Sequence, residues 1–190
     1  MATSSQPAAR SRGGPPGALL YPLDIAYAKM GLPVPRARER ALSRIPEPQR
    51  SVLLNDSGMT GTLERFSGDR LAVRPLWVHS RGHWYMRRVL LCSATTGRAV
   101  SMGAVRLRLD AFPPAVRARI LRGRVPIGRL VAEAGLAYRS VPLAFFELTP
   151  GADLLGMFAM PRPRPLYGRR TEAMIGAAKV GDVIEILAPF

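Results

Sequence analysis

The chain is poor in the residues that form disulfides and metal sites. Its one cysteine, Cys92, cannot form a disulfide within the chain, which favours a reducing compartment. Cys92 follows Leu91 in an apolar run, so we expect it to be a small, buried packing residue. His79 and His83 flank a predicted turn, but no cysteine or carboxylate lies near them in sequence to complete a metal site. Metal binding is therefore not expected.

Long hydrophobic runs are also missing. No apolar stretch approaches the ~20 residues that a membrane-spanning helix needs, and the start of the chain has no signal-peptide core. We therefore expect a soluble, cytoplasmic protein that does not bind membranes and forms a monomer or homodimer. The first 18 residues are mostly Ala, Ser, Arg, Gly and Pro, which predicts a disordered tail over residues 1–18. Residues 19–190 are enough for one domain, and 47% of the chain is hydrophobic.

Acidic residues are scarce, with 13 against 28 basic ones, and the formal net charge is +15. A basic surface gains affinity for nucleic acid by releasing counterions from phosphates. However, the arginines are dispersed along the chain, aromatic residues suited to base stacking are sparse, and no helix-turn-helix, zinc-finger or RNA-binding signature is present. Nucleic acid is therefore not the expected partner. The charge is better suited to attracting an anionic small-molecule substrate.

Helical patterns come first in the chain. An amphipathic stretch runs from Leu23 to Arg44, and the prolines within residues 31–35 predict that it splits into two helical pieces. The second piece carries four arginines: Arg36, Arg38, Arg40 and Arg44. Residues 51–60 then predict a short helical or irregular entry to the rest of the fold.

Strand patterns dominate from residue 71 onward. Short polar turns separate three runs that predict an antiparallel meander, over residues 71–79, 83–92 and 98–107. Two helices are predicted next, over residues 110–123 with Asp110 as N-cap and over 126–135. Three further strands are predicted over residues 140–148, 168–175 and 181–188, after a proline-rich excursion or flap in 149–166. The pattern predicts an α+β fold built on an antiparallel sheet of about six strands.

Two charged residues stand out because they lie in apolar strands. Glu185 is flanked by Val183, Ile184, Ile186 and Leu187, and such a carboxylate needs either water or a cationic partner. Arg87 is the candidate partner. Strand alternation places Arg87 on one face with Tyr85 and Val89, and Glu185 on one face with Val183. Taken alone, this pattern favours a structural ion pair across neighbouring strands or two exposed charges at a sheet edge, and a shared pocket is the alternative.

Three blocks of the sequence together resemble the chorismate lyase (chorismate pyruvate-lyase) family. They are LLNDSGMT with LERF (residues 53–66), WYMRRVLLC (84–92) and YGRRT with DVIEILAP (167–189), in the family's order and at similar separations. RVPIGRL (124–130) is similar to the start of the family's ProLeuGly helix. The resemblance extends from about residue 50 to the end of the chain, although the matched blocks make up only part of that length.

The resemblance implies an antiparallel sheet with helices on one side and an internal pocket enclosed by helical flaps. It also implies an enzyme, a carbon–oxygen lyase without metal or organic cofactor that releases pyruvate and 4-hydroxybenzoate from chorismate. The family's substrate-carboxylate arginine falls on Arg87 and its essential glutamate on Glu185. Its backbone contacts fall at Met59 and Ile127, and the amide of Gly128 also opens the predicted helix. These assignments stay expectations at this point.

Two neighbouring arginines, Arg169 and Arg170, are further candidates for binding an anionic substrate. Their alternatives are solvation or pairing with Asp182. Arg88 replaces a residue that is often acidic in the family, and we expect it to lie on the surface or face a helix. Such departures keep two other functions open. One is a recruited enzyme that cyclises, isomerises or eliminates on another metabolite in natural-product biosynthesis, and the other is a small-molecule sensor domain of the kind found in some transcription regulators.

Overall fold

A computed structural model describes residues 18–55 and 58–190 of the chain. The predicted tail, residues 1–18, lies outside the described residues except for Ala18, which begins a 3-10 turn. In the described part, one sheet of seven antiparallel strands forms the centre, in the spatial order β1-β5-β6-β7-β4-β3-β2. The strands are β1 (Ala37–Glu39), β2 (Leu71–Arg81), β3 (Trp84–Ser93), β4 (Ala99–Arg108), β5 (Tyr138–Leu148), β6 (Leu166–Ile175) and β7 (Ala178–Leu187).

Six short α-helices accompany the sheet over the same described ranges. They are α1 (Leu23–Lys29), α2 (Gln49–Leu53), α3 (Met59–Ser67), α4 (Pro114–Arg122), α5 (Ile127–Glu133) and α6 (Ala152–Met157). Three 3-10 turns lie at Ala18–Leu20, Leu42–Arg44 and Leu109–Ala111. The predicted α+β class with an antiparallel sheet is confirmed, and no described helix has the length and apolarity needed to cross a bilayer.

The seventh strand, β1, replaces the second predicted helical piece, so that prediction was wrong. Backbone bonds pair this segment with β5, since Arg40 N donates to Phe145 O at 2.9 Å. In an extended strand, residues two apart share a side. Arg38 and Arg40 can therefore both reach Glu147 on β5, and Arg40 does so at 3.0 Å. Backbone pairing with β5 and two ion pairs to Glu147 thus accompany the extended conformation of a segment whose local pattern favoured a helix.

The predicted N-cap at Asp110 was also wrong. Asp110 lies in a 3-10 turn and pairs with Arg108 at 3.2 Å. The helix α4 begins only at Pro114, after Pro113 in extended conformation. Proline has a fixed φ suited to the first helical turn and disfavours helical backbone in the residue before it, so the two prolines move the helix start past Asp110.

Alternation along the strands gives the sheet two buried faces. One face carries Leu90, Ile184 and Phe146, and α1 and α6 pack on it. The other carries Arg87 and Glu185, and α2 to α5 cover it. The expectation of helices on one side therefore holds for α2 to α5, whereas α1 and α6 pack on the opposite face because both bury apolar side chains there.

A buried ion pair fastens α1 and α6 to the first of these faces. Arg88 on β3 is fully buried, and its Nη2 donates to Asp153 of α6 at 2.6 Å and to the Tyr27 hydroxyl of α1 at 2.9 Å. Its guanidinium carbon also lies 4.4 Å from the centroid of the Tyr27 ring. Burial raises the pKa of Tyr27, so the phenol stays protonated beside the pair. Arg88 therefore faces helices, as expected for one of its two predicted placements.

Removal of the acid from this pair is expected to destabilise the fold strongly. Asp153→Ala leaves the buried Arg88 guanidinium without a counter-charge, so we expect the free energy of unfolding to fall by about 3–5 kcal/mol. The matched control is Glu133→Ala, which breaks a pair with Arg119 whose side chains are 45% and 41% exposed, and it should cost less than about 1 kcal/mol. Urea denaturation measures both values. Equal losses in the two variants would contradict a structural role for the buried pair.

Candidate functional site

A cavity lies between the second face of the sheet and the start of helices α3 and α5. Its floor is largely apolar and carries two charged side chains, Arg87 on β3 and Glu185 on β7, together with the hydroxyl of Ser101 on β4. Val89, Val105 and Val183 contribute the apolar surface between them. The alternation predicted for β3 and β7 from the sequence is therefore confirmed, because Arg87 and Glu185 line the same cavity.

The roof of the cavity is formed by the first turns of α3 and α5. Met59 and Thr60 contribute from α3, and Ile127 and Gly128 from α5. A Cβ atom added to Gly128 would lie 3.9 Å from Thr60 Oγ1, which shows that the two turns are in contact. Backbone N–H groups in the first turn of a helix have no acceptor within that helix. The roof therefore brings two sets of unused amide donors to one cavity.

An ion pair joins the two roof helices. Arg129 of α5 donates to Glu64 of α3, and the same Glu64 oxygen accepts a bond from Leu71 N at 2.9 Å. Arg129 also donates to Leu71 O at 3.3 Å. Since Leu71 begins β2, these bonds connect both halves of the roof to the sheet.

Arg87 is buried at the cavity wall, with 3% of its surface exposed. Its Nη1 donates to Gly123 O at 3.2 Å and its Nη2 to Val125 O at 3.1 Å, so the segment between α4 and α5 holds the side chain in place. Burial lowers the pKa of Arg87, yet a guanidinium stays charged at neutral pH. Within residues 18–55 and 58–190, its Nε has no hydrogen-bond partner and no carboxylate pairs with it. A buried cation in this state is suited to an anionic ligand.

Glu185 pairs with Arg169, so the prediction that Arg87 is its partner was wrong. Arg169 Nε donates to Glu185 Oε2 at 2.7 Å. The reason is register, because Arg169 lies directly opposite Glu185 on the neighbouring strand β6. Arg87 is two strands away and level with Val183. Arg87 and Glu185 therefore share the cavity without forming an ion pair.

Arg169 is fully buried, and all three of its guanidinium nitrogens donate to protein atoms. Besides Glu185, it donates to Leu53 O at 2.9 Å, to the carbonyl of Asn55 and to Asn55 Oδ1 at 3.2 Å. Gly58 N in turn donates to Asn55 Oδ1 at 3.1 Å, just before α3. Through these bonds Arg169 positions Glu185 and the segment that leads into α3. The sequence had suggested a different role for Arg169, contact with an anionic substrate.

Arg170, the other arginine of the predicted site, is not brought to the cavity. Its side chain lies on the opposite face of the sheet, 5.5 Å from the Tyr21 ring centroid and 3.8 Å from Asp182. The alternation of β6 explains the separation, because neighbouring residues of a strand point to opposite faces. The second alternative considered for Arg170, pairing with Asp182, describes its place in the structure.

A tyrosine that the sequence analysis did not select also lines the cavity. Tyr138 begins β5, and its ring lies 3.6 Å from the position of a Cβ atom at Gly58. Burial and the negative charge of Glu185 raise the pKa of Tyr138 to about 12. The strand was predicted to begin only at residue 140, which left Tyr138 outside the predicted helices and strands. A start two residues earlier would have placed Tyr138 on the face of Ser140.

Among the described residues, no three His, Cys, Asp or Glu side chains lie close enough together to hold a metal ion. Cys92 is buried, and burial raises the pKa of its thiol. Among the described residues, the cavity lining offers one cation, one carboxylate, one phenol, the hydroxyls of Thr60 and Ser101, and the amides of two helix starts, between largely apolar walls. Such an arrangement can bind an organic anion and move a proton.

Comparison with known proteins supports the fold but gives no sequence family. No family model matches the chain, and no curated protein matches its sequence. Among solved structures, the chain is similar to PhnF from Mycobacterium smegmatis, with a TM-score of 0.50 and 13% sequence identity. The match covers 71% of this chain and 65% of PhnF, which is less than two thirds of that protein. At this identity the likeness shows the fold alone, and that fold is chorismate lyase-like.

Replacement of Arg169 is expected to loosen the roof as well as the sheet. Arg169→Met leaves Glu185 without its partner and the carbonyls of Leu53 and Asn55 unsatisfied, so the free energy of unfolding should fall by about 3–5 kcal/mol. Hydrogen exchange at amides of α3 should accelerate more than at α4. The control is Arg139→Met, an exposed arginine on β5, which should change stability by less than about 0.5 kcal/mol. Unchanged exchange in α3 would remove the link between Arg169 and the roof.

Proposed function

We propose that this chain is a cofactor-independent lyase that eliminates pyruvate from chorismate and leaves a hydroxybenzoate of the 4-hydroxybenzoate type. The observation that carries the proposal is the meeting of Arg87 and Glu185, which are distant in the chain, at one apolar cavity. Both residues fall on positions that the family resemblance assigns to the reaction.

Arg87 is the anchor for a substrate carboxylate. Chorismate carries two carboxylates, and a planar guanidinium binds such a group with two parallel hydrogen bonds. Arg87 is suited to this task because it is buried, fixed by the carbonyls of Gly123 and Val125, and not neutralised by a protein carboxylate among the described residues. An anionic substrate would supply the missing counter-charge.

Glu185 is the proton-transfer residue. The elimination takes a proton from the ring carbon and breaks the carbon–oxygen bond to the enolpyruvyl group, so a carboxylate near the ring can act as the base. Arg169 orients this carboxylate through its 2.7 Å bond, and 13% of the Glu185 side chain stays exposed. Aromatisation supplies the driving force, which leaves the protein to orient the substrate and neutralise charge.

The roof amides are the third part of the proposed site. Met59, Thr60, Ile127 and Gly128 line the cavity, and the N–H groups of a first helical turn have no acceptor within their own helix, so such groups favour an anion or an ether oxygen. Closing the roof over the substrate would exclude water and strengthen each of these interactions.

A small-molecule sensor domain is the second candidate, and the likeness to PhnF favours it. The chorismate lyase-like fold also occurs in effector-binding domains of transcription regulators, and the same cavity would bind an anionic effector. A recruited enzyme that uses Arg87 and Glu185 on another metabolite is a third reading of the same geometry.

The test is an assay of the purified full chain with chorismate, in which pyruvate and an absorbing hydroxybenzoate are followed together. We expect Arg87→Met to lower kcat/KM by about 10²–10⁴-fold, because two charge-assisted hydrogen bonds are lost. Glu185→Gln should lower kcat by about 10²–10⁴-fold, because it removes the proton acceptor. Arg122→Ala, an exposed arginine of α4, is the control with wild-type activity.

The other two candidates give different outcomes in the same assay. Saturable binding of chorismate or a hydroxybenzoate without release of pyruvate would contradict the lyase proposal and support the sensor function. Folded protein that neither binds nor converts chorismate would replace it by an enzyme for another metabolite. Equal activity of the Arg87→Met variant and the wild type would remove Arg87 from the site.

A further inference from the structure

The cavity contains two groups that can exchange a proton, although the proposed function so far uses one. Of the described residues that line it, three have side chains that ionise: Arg87, Tyr138 and Glu185. Arg87 stays protonated and therefore neither gives nor takes a proton at neutral pH. An elimination needs a base at the ring carbon and gains from an acid at the departing oxygen, and one carboxylate cannot fill both roles in the same step.

Tyr138 belongs to a row of polar side chains on the cavity face of the sheet. From Tyr138 on β5 the row continues through Ser140, whose hydroxyl donates to Thr171 Oγ1 at 2.9 Å on β6. Arg169 and Glu185 follow on the same face. Ser140, Thr171 and Arg169 each have 1% or less of their surface exposed. These buried side chains are hydrogen-bonded within the row and to the carbonyl of Leu53, so the row continues as a polar path from β5 to Glu185 on β7.

The position of the Tyr138 ring is fixed by the turn that begins α3. Gly58 has a φ of 98°, a conformation that residues with a side chain rarely adopt, and the Tyr138 ring occupies the space beside it. Because α3 forms part of the roof, this contact holds the phenol at the junction of floor and roof. A phenol in this place reaches the cavity from the side opposite Arg87, which is on β3.

The phenol is a proton donor at neutral pH. Burial and the charge of Glu185 raise the pKa of Tyr138 to about 12, so the hydroxyl keeps its proton throughout the physiological range. The described hydrogen bonds of the cavity leave the Glu185 carboxylate bonded to Arg169 through one oxygen, Oε2. Donor and acceptor are thus distinct groups with different environments, as acid–base pairs in enzymes are.

We propose that Tyr138 is the general acid of the elimination, a role that rests on the proposed lyase function. Glu185 takes the proton from the ring carbon that bears the hydroxyl, and the C–H electrons form the new ring double bond. The ether bond breaks with its electron pair on the enolpyruvyl oxygen, and Tyr138 gives its proton to that oxygen. Glu185 then gives a proton to the Tyr138 phenolate, which restores both side chains. The released enol tautomerises to pyruvate, so the enzyme gains and loses no proton over the reaction.

The experiment compares the Tyr138→Phe variant with the wild type in single turnovers, because product release can otherwise hide the chemical step. The change removes only the hydroxyl and keeps the ring that packs against Gly58. We expect the single-turnover rate to fall about 10²-fold, with KM and hydroxybenzoate affinity within about threefold of the wild type. The solvent deuterium isotope effect of the wild type should disappear in this variant, because the variant lacks the exchangeable phenol proton that is transferred to the ether oxygen.

The matched control is Tyr167→Phe, the same chemical change on the cavity face of β6, at a residue that packs against the apolar cluster of Leu53 and Leu63 and lies outside the cavity lining. It should keep the wild-type rate and isotope effect. A wild-type rate in Tyr138→Phe would overturn the role of Tyr138 and leave the lyase proposal standing. A slow variant that keeps its isotope effect and loses hydroxybenzoate affinity would reduce Tyr138 to a packing residue. Wild-type protein that releases no pyruvate would overturn both proposals.

Discussion

The candidate site depends on the ion pair between Arg169 and Glu185. Taking a guanidinium fully out of water costs several kcal/mol, and this cost is offset only if nearly every donor finds an acceptor. Arg169 meets that condition with Glu185 on one side and the carbonyls after α2 on the other. One buried group therefore sets both the orientation of the proposed base and the point from which the roof helix α3 begins. The geometry of the candidate site and the position of the roof are coupled through Arg169.

In each of two pairs of adjacent arginines, strand alternation places the two side chains on opposite faces of the sheet, where they make different contacts. Arg87 faces the cavity while Arg88 holds α1 and α6 on the other face, and Arg169 supports Glu185 while Arg170 lies near Asp182. A shift of one residue in either strand would exchange these environments. Each arginine would then lose the acid or carbonyl partners that it has now. The register of β3 and β6 is therefore under strong constraint from charge as well as from apolar packing.

The local sequence pattern was sufficient to predict most strands and the faces on which Arg87 and Glu185 lie. The reason is that side chains alternate between the two faces of a strand, and this period of two can be seen within each segment. It was not sufficient to say which cation meets Glu185. That answer depends on the order of strands in the sheet, which places β6 beside β7 and β3 two strands away. The short strand β1 was missed for a related reason, since Arg38 and Arg40 become extended through a distant acid, Glu147. Tyr138 was missed because β5 was predicted to begin two residues too late, so Tyr138 was not assigned to either face of the sheet.

A cavity with a buried arginine serves a sensor and a lyase equally well, so anion binding alone does not separate them. The distinction lies in the groups that binding does not require. A sensor gains affinity from Arg87 and the roof amides, and it has no need of a carboxylate, whose charge the ion pair with Arg169 already offsets in this cavity. A lyase needs the carboxylate as a base, and it has a use for a protonated phenol nearby. Glu185 and Tyr138 are therefore the residues whose replacement separates the proposed lyase from a sensor.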